Sequence, residues 1–299
     1  MSLTVVILTY NEALHIGRAI DSVASVADQI VVVDSGSTDQ TVELARNRGA
    51  WVLKNPFISQ AQQFNWALTQ LPSDTDWVFR LDADEIVSSE LAESLKNNLN
   101  GLDSSVAGAR VNRRIAFLGK QIRWGGVFPV SIVRVFRYNR GRSEDRWMDE
   151  HIIIDGSEVQ LAGELLDDNK KPITWWIEKH NNYASREVIE ILDAEYKFLL
   201  RGAPGELAGQ SAIKRWLKSR IYTRLPTGFR AGLYFFYRFV LRLGILDGPE
   251  GRTFHVLQGF WYRYLVDVKL LEIRRLMKND GLDVVSAIAI ILDIDVTKR

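Results

Sequence analysis

Trp77-Val78-Phe79-Arg80-Leu81-Asp82-Ala83-Asp84-Glu85 is an apolar run that stops abruptly in acids. Two earlier stretches are built the same way. Leu3–Leu8 leads into Thr9-Tyr10-Asn11-Glu12, and Ile30–Val33 leads into Asp34-Ser35-Gly36-Ser37-Thr38-Asp39. Each run has the length and the β-branched or aromatic richness of a strand buried on both faces of a parallel sheet. The polar residues therefore stand where strands end, and in open α/β sheets ligands bind in the crevice outside those carboxyl ends. Acids gathered there repel one another unless a cation or hydrogen-bond donors lie between them. Alternate residues of an extended segment point the same way, so Asp82 and Asp84 suit a divalent metal carrying phosphates. The pattern implies a site for a nucleotide diphosphate.

The segments between these runs read as helices. Glu12–Val26 places Leu14, Ala19, Ile20 and Val23 on one face, and Thr38 and Asp39 offer caps for a helix over 40–47. Trp51–Leu53 reads as a short strand, Ser59–Leu71 and Ser88–Leu99 as helices. The βα repeat predicts a mainly parallel sheet flanked by helices. Val106–Arg113 and Ile132–Arg137 alternate like strands around a glycine-punctuated loop from Gly119 to Pro129. Residues 151–180 hold two further short strand patterns and a charged turn, Asp167–Lys171; Tyr183–Leu200 reads as a helix. The Pro/Gly cluster at Arg201–Gly205 is the candidate boundary before a mostly helical remainder.

Order and context of the three strand-end strings resemble an inverting family-2 glycosyltransferase with the nucleotide-sugar-binding GT-A fold. Among these the chain is similar to the bacterial enzymes that build lipopolysaccharide core, capsule or exopolysaccharide. The similarity extends through Asn65, Gly119-Lys120, Gly125-Gly126 and Trp147-Met148-Asp149-Glu150-His151. It implies three regions: 1–105 for the nucleotide sugar, 106–200 for the acceptor half of the same domain, and 201–299 as a helical basic-aromatic extension. It also implies that Thr9, Asn11 and Glu12 contact the base and ribose of a UDP-linked donor, with Asp34 on base or ribose and Asn65 in the same binding set. Asp82 would lie near ribose and metal, and Asp84 would coordinate Mn²⁺ or Mg²⁺ on the diphosphate. Glu85, facing the other way, reads as structural.

Asp149-Glu150 stands where the family carries its catalytic acids. Inversion needs one base to deprotonate the attacking hydroxyl, and the order of the motif points to Glu150, with Asp149 second. Arg123, Trp124, Gly125 and Gly126 resemble an acceptor loop, in which Trp124 stacks on a sugar or is core. Several plainer roles stand beside these: caps at Thr9, Asn11 and Asp39, and a metal or phosphate contact for His151. Lys54, Arg80 and Lys120 are candidate phosphate cations, because glutamines Gln62 and Gln63 occupy the expected basic positions. For Lys179-His180-Asn181-Asn182-Tyr183, a polar hinge over the diphosphate and a helix cap at Asn181 or Asn182 both fit.

Composition narrows the alternatives. There is no cysteine among 299 residues, which removes disulfides and thiolate chemistry, and the four histidines lack zinc spacing. Met1 leads straight into a strand pattern, so no signal peptide and a cytoplasmic location are expected. Residues 1–100 carry 6 basic and 13 acidic side chains, residues 201–299 carry 17 basic and 9 acidic. That asymmetry suggests two different partners. Twelve aromatics between Tyr222 and Tyr264 are interleaved with arginines, and no apolar run approaches the roughly 20 residues of a spanning helix. The extension is read as peripheral on the anionic inner leaflet, where a lipid-linked saccharide acceptor would lie. A homo-oligomer contact is the alternative, and nucleic acid is disfavoured for want of a motif. A sugar-phosphate nucleotidyltransferase would carry a Gly-rich basic loop after the first strand, in place of Thr9–Ala13. A non-catalytic sugar-binding protein would not need Asp-x-Asp and Glu150 together.

Overall fold

The structure, a computed structural model, describes residues 1–148, 150–199 and 228–297. The proposed boundary at Arg201–Gly205 lies outside the described residues. The chain divides into two units. The first holds Met1–Arg123, Val127–Glu144 and Glu150–Lys171; the second holds Trp124–Gly126, Asp145–Asp149 and the chain from Pro172 onward.

The first unit is a mixed sheet flanked by helices, a GT-A-like architecture. Its elements run β1 (Leu3–Thr9), α1 (Ile16–Val23), β2 (Gln29–Asp34), α2 (Thr41–Arg46), β3 (Trp51–Lys54), α3 (Gln60–Gln70), β4 (Trp77–Asp82), β5 (Glu85–Val87) and α4 (Ser89–Asn98). Then follow β6 (Val106–Phe117), β7 (Lys120–Gln121), β8 (Val130–Arg137), β9 (Gly141–Ser143), β10 (Ile152–Ile154) and β11 (Ser157–Asp168). The order across the main sheet is β3-β2-β1-β4-β8-β6-β11-β5, with β7 on β6. The first four strands are parallel, and β8 enters antiparallel to both β4 and β6.

Apolar runs became buried strands because both faces of this sheet are covered. Val5, Ile7, Val32, Trp77, Phe79 and Leu81 join one core with Ile16, Ala19, Ile20 and Val23 of α1 and Leu91 and Leu95 of α4. The alternate residues Val6, Val31, Val33 and Val78 join the opposite core with Phe64 and Ala67 of α3. Register brings the motifs level: Thr9 pairs with Asp34, and Leu8 with Asp82. The helix starts expected at Ser59 and Ser88 are N-caps, each hydroxyl accepting a backbone N–H three residues on, from Gln62 and Leu91 at 3.2 Å. The first helix is shorter than its pattern. Glu12–His15 forms a turn instead, with the Glu12 carbonyl accepting the N–H groups of His15 and Ile16 at 2.8 Å.

The second unit is helical. Its α5 (Ile173–Tyr196) starts ten residues before the expected Tyr183 and ends earlier than Leu200. Pro172 supplies the fixed φ that starts it, and Lys197 in the left-handed region ends it. Beyond residue 227 come α6 (Phe229–Phe236), a π-helical turn Tyr237–Leu241, a 3₁₀ turn Gly244–Asp247, and α7 (Gly248–Phe254). A second π segment, His255–Trp261, runs into α8 (Tyr262–Asp280), followed by α9 (Val284–Leu292). Ala184, Val188 and Leu192 of α5 pack with Tyr262, Val266, Leu270 and Ile273 of α8, at helical spacing, and with Ala287 and Ile288 of α9. Among the described residues no helix is long and apolar enough to cross a membrane.

Lys179–Tyr183 lies inside α5, which corrects both readings of it. Asn181 and Asn182 are mid-helix, so neither caps it, and the segment packs the helices together rather than forming a hinge. His180 stacks on Trp176 with centroids 3.5 Å apart and meets the edge of Tyr262 at 5.9 Å. Its Nδ1 donates to the Trp176 carbonyl at 2.9 Å. Burial pushes the imidazole down to about 4, with the Trp176 bond opposing and the Lys179 charge assisting. The folded state therefore binds fewer protons than the unfolded chain between about pH 6.5 and 4. Stability should fall as pH drops through that window, by at most about 3 kcal/mol after solvent screening, and level off below it. His180→Gln should flatten this slope, as read by urea unfolding at a series of pH values.

Candidate nucleotide site at the strand ends

The ends of β1 and β2 lock together through side chains. Asn11 takes φ +53°, donates its N–H to Ser37 Oγ and accepts the Thr38 N–H on its side-chain oxygen, both at 2.8 Å. Asn11 thus ties the two strand-end loops rather than capping its own helix. The Asp34 carboxylate, 1% exposed, accepts the N–H groups of Gly36 and Ser37 at 2.9 and 3.0 Å and so holds its own turn. Asp39 accepts from the Thr41 and Ala13 N–H groups at 3.0 and 3.1 Å. Burial acts to raise the Asp39 pKa, but the Thr41 hydroxyl, these two N–H groups and the Lys171 charge outweigh it and bring it below the ordinary value. Thr9 is buried, and its Oγ1 has no hydrogen-bond partner among the described residues.

At the end of β4 the organising group is Arg134 of β8. Its Nη2 donates to Asp82 Oδ2 at 2.8 Å and to Glu85 Oε1 at 2.6 Å. Glu85 is 1% exposed, and its other oxygen accepts the Asp82 N–H at 3.0 Å, so it shares Arg134 with Asp82 rather than facing away from it. Burial pushes Glu85 up to about 7, against the pull of Arg134 and with the Asp82 charge adding to the rise. Burial works on Asp82 in the same direction, but the charges of Arg134 and Arg80 overcome it and hold that carboxyl well below the usual range. Arg80, also buried, donates from Nη2 to Glu150 Oε1 at 3.3 Å and keeps Nε 3.9 Å from Asp82. Arg80 therefore links the proposed base to Asp82. Asp149 lies outside the described residues.

A turn after β11 closes over the same edge. Asn169 Nδ2 donates to Asp84 Oδ2 at 2.9 Å, and the Asp168 N–H donates to the Asp84 carbonyl. Lys171 Nζ reaches Glu12 at 2.7 Å, while His15, fully buried, bridges Glu12 on Nδ1 and the Lys170 N–H on Nε2. That bonding makes His15 the Nδ1–H tautomer. Arg134, Asn169, Lys171 and His15 were not singled out from sequence. The one signal was the charged turn Asp167–Lys171, read without a partner.

The Asn65 amide donates to the Ser143 carbonyl at 2.9 Å and accepts the Ser143 N–H at 2.8 Å, clamping β9. Gln63 is similarly engaged by Asn55 and Ser35. Of the candidate phosphate cations, Arg80 is buried against acids, whereas Lys54 and Lys120 are exposed. The His151 side chain is 45% exposed, 3.7 Å from Glu144. Arg123 is exposed, and Trp124, 43% exposed, is not core. Trp124–Gly126 belong to the helical unit, where the Trp124 N–H donates to Asp247 at 3.0 Å and the Gly125 N–H to the Arg242 carbonyl at 2.8 Å.

The donor set at Asp82 and Asp84 is carboxylate oxygen, the class that Mg²⁺ and Mn²⁺ take, and the pair fits a cation that completes its shell with phosphate oxygens and water. Among the described residues no three His, Cys, Asp or Glu converge into an all-protein cage. Arg134→Met should leave the Asp82 and Glu85 carboxyls without their shared buried cation and destabilise the fold by about 3–5 kcal/mol. Adding Glu85→Gln should restore part of the loss in urea unfolding.

The family model described as glycosyl transferase family 2 matches residues 4–148. The lipopolysaccharide core biosynthesis glycosyltransferase LpsC of Rhizobium meliloti is 30% identical over 192 residues, covering 62% of this chain and 70% of that protein. An uncharacterised glycosyltransferase of Rickettsia bellii is 43% identical over 90 residues, and the match spans 30% of each chain. Among solved structures, glucosyl-3-phosphoglycerate synthase of Mycobacterium tuberculosis with Mn²⁺ and UDP is 23% identical, with a TM-score of 0.31, covering 38% of this chain and 44% of that one. So distant a structural likeness carries no argument about ligands. On the extent and identity of the match to LpsC, this chain belongs to glycosyltransferase family 2.

Proposed function

We propose that the protein transfers a sugar, with inversion, from a nucleotide diphosphate donor to a hydroxyl of a lipid-linked or polysaccharide acceptor at the cytoplasmic membrane face, in cell-surface glycan synthesis. The observation that carries this reading is Arg80, which touches Glu150 at 3.3 Å and Asp82 at 3.9 Å and so ties the proposed base to Asp82 where the strands end. The donor is read as UDP-linked, its base and ribose against Thr9, Asn11, Glu12 and Asp34, where the Thr9 hydroxyl, without a partner among the described residues, offers a hydrogen bond. Asp84, with Asp82, would hold Mn²⁺ or Mg²⁺, which when bound supplies Lewis-acid stabilisation of the leaving diphosphate. Asn169 orients Asp84 for that task. Glu150 takes the proton of the acceptor hydroxyl. Arg123 and Trp124, both exposed, and Gly125 and Gly126 form the acceptor loop, with the indole available to a sugar face.

Protection against thermal unfolding by a panel of UDP-, GDP- and dTDP-sugars, with and without Mn²⁺, tests the donor reading. Asp84→Ala should abolish the metal dependence of that protection; unchanged Mn²⁺ dependence counts against the metal role. Glu150→Gln should keep donor protection and lower turnover by about 10²–10⁴. Full turnover in Glu150→Gln with none in Asp149→Asn assigns the base to Asp149.

A further inference from the structure

Twelve of the 23 large hydrophobic side chains exposed among the described residues lie between Phe229 and Tyr264, so exposure in this region is not the scattered kind that needs no account. The densest part is residues 236–246, where Phe236, Tyr237, Val240, Leu241, Leu243, Ile245 and Leu246 all face outward. Its backbone passes through a π turn, Leu243 at φ +59° and a 3₁₀ turn, so these side chains do not stand on the face of one regular helix.

Arg238 of this stretch and Asp247 just beyond it point inward, while Arg242 is exposed. Arg238, 4% exposed, donates to the Gly125 carbonyl at 3.2 Å and bonds Gln258. The side chain of Asp247, 2% exposed, meets His255 Nε2 at 2.9 Å and accepts the Trp124 N–H. Gly125, at φ +71°, has no room for a Cβ beside the His255 ring. The segment is thus polar inside and apolar outside, the reverse of a surface built for water. The exposed charges beside it are Arg242 and Arg252. A two-fold contact with a second copy would bring this patch against itself and oppose those arginines, whereas anionic head groups would neutralise them.

We infer that residues 236–246 form a shallow insertion edge that seats in an anionic lipid bilayer and fixes the loop Trp124–Gly126 at the level of the head groups. The loop is attached to this edge at three points: Arg238, the Arg242 carbonyl and Asp247. The inference rests on the lipid-linked acceptor proposed above and gives it a physical address. Apolar insertion with flanking arginines predicts binding that salt weakens and does not abolish.

Because the chain has no cysteine, Leu246→Cys and Ile290→Cys each accept a single environment-sensitive fluorophore. Both positions are exposed, at 58% and 63%, but only the first lies on the edge. With phosphatidylglycerol–phosphatidylcholine vesicles, the 246 probe should shift to the blue and the 290 probe should not. Leu241→Asn/Ile245→Asn/Leu246→Asn should lower vesicle co-sedimentation by about tenfold or more, with an unchanged unfolding midpoint and unchanged nucleotide-sugar protection. An intact chain that stays in the supernatant at low salt, or a 246 probe that shifts with protein concentration in the absence of vesicles, overturns the proposal; the second result assigns the edge to self-association. Vesicle insertion without protection by any nucleotide sugar would leave the edge standing and remove the donor reading instead.

Discussion

Acids crowded at the end of a buried strand must be neutralised from within the protein before any ligand arrives. Arg134 meets that constraint for Asp82 and Glu85, and Arg80 for Glu150. Both arginines lie on adjacent antiparallel strands and are buried, so their charges are poorly screened and act strongly on their partners. The consequence is a division of labour among neighbouring carboxyls. Asp82 is kept ionised and partly open to solvent, while Glu85, enclosed beneath it, is lifted toward neutrality. An antiparallel strand inserted beside β4 is what makes this possible, since it delivers an arginine to the level where the parallel strands terminate.

The same logic extends sideways. Lys171, His15 and Asn169 connect Glu12 at the end of β1 to Asp84 beyond the end of β4. Arg18 binds Asp168 through both its carboxylate and its carbonyl and holds that turn down. Glu12, Asp84 and the turn are therefore one hydrogen-bonded piece, and orientation of the acids does not depend on the loops alone.

Much of this was legible in the sequence for a simple reason. Strands buried on both faces leave continuous apolar runs, and the acids that end them are conspicuous. The starts expected for α3 and α4 hold at Ser59 and Ser88, where the N-cap is a local bond. What was not legible depends on distant partners. The clamp of Asn65 on Ser143 spans 78 positions. Arg134 sat in an alternating strand with nothing to show which acids it would face. His180 looked like part of a polar motif because its aromatic neighbour Tyr262 comes from a helix far along the chain. The early start of α5 was hidden by Trp175 and Trp176, which suit a strand pattern as well as a helix.

Among the described residues the short strand β5 pairs only with β11, with Val87 opposite Leu165 and Glu85 opposite Asp167. The strand that carries Glu85 is thus completed by a segment almost 80 residues later, a contact of high sequence separation. The residues matched by the family model stop at 148, before β11 begins at Ser157. During synthesis the acid-bearing edge emerges long before its partner strand, with its backbone unpaired and open to wrong pairings. The chemically richest corner of the sheet is in this sense among the last to acquire its full set of contacts. A fragment cut at the end of the matched region would lack β5's partner and the turn that secures Asp84.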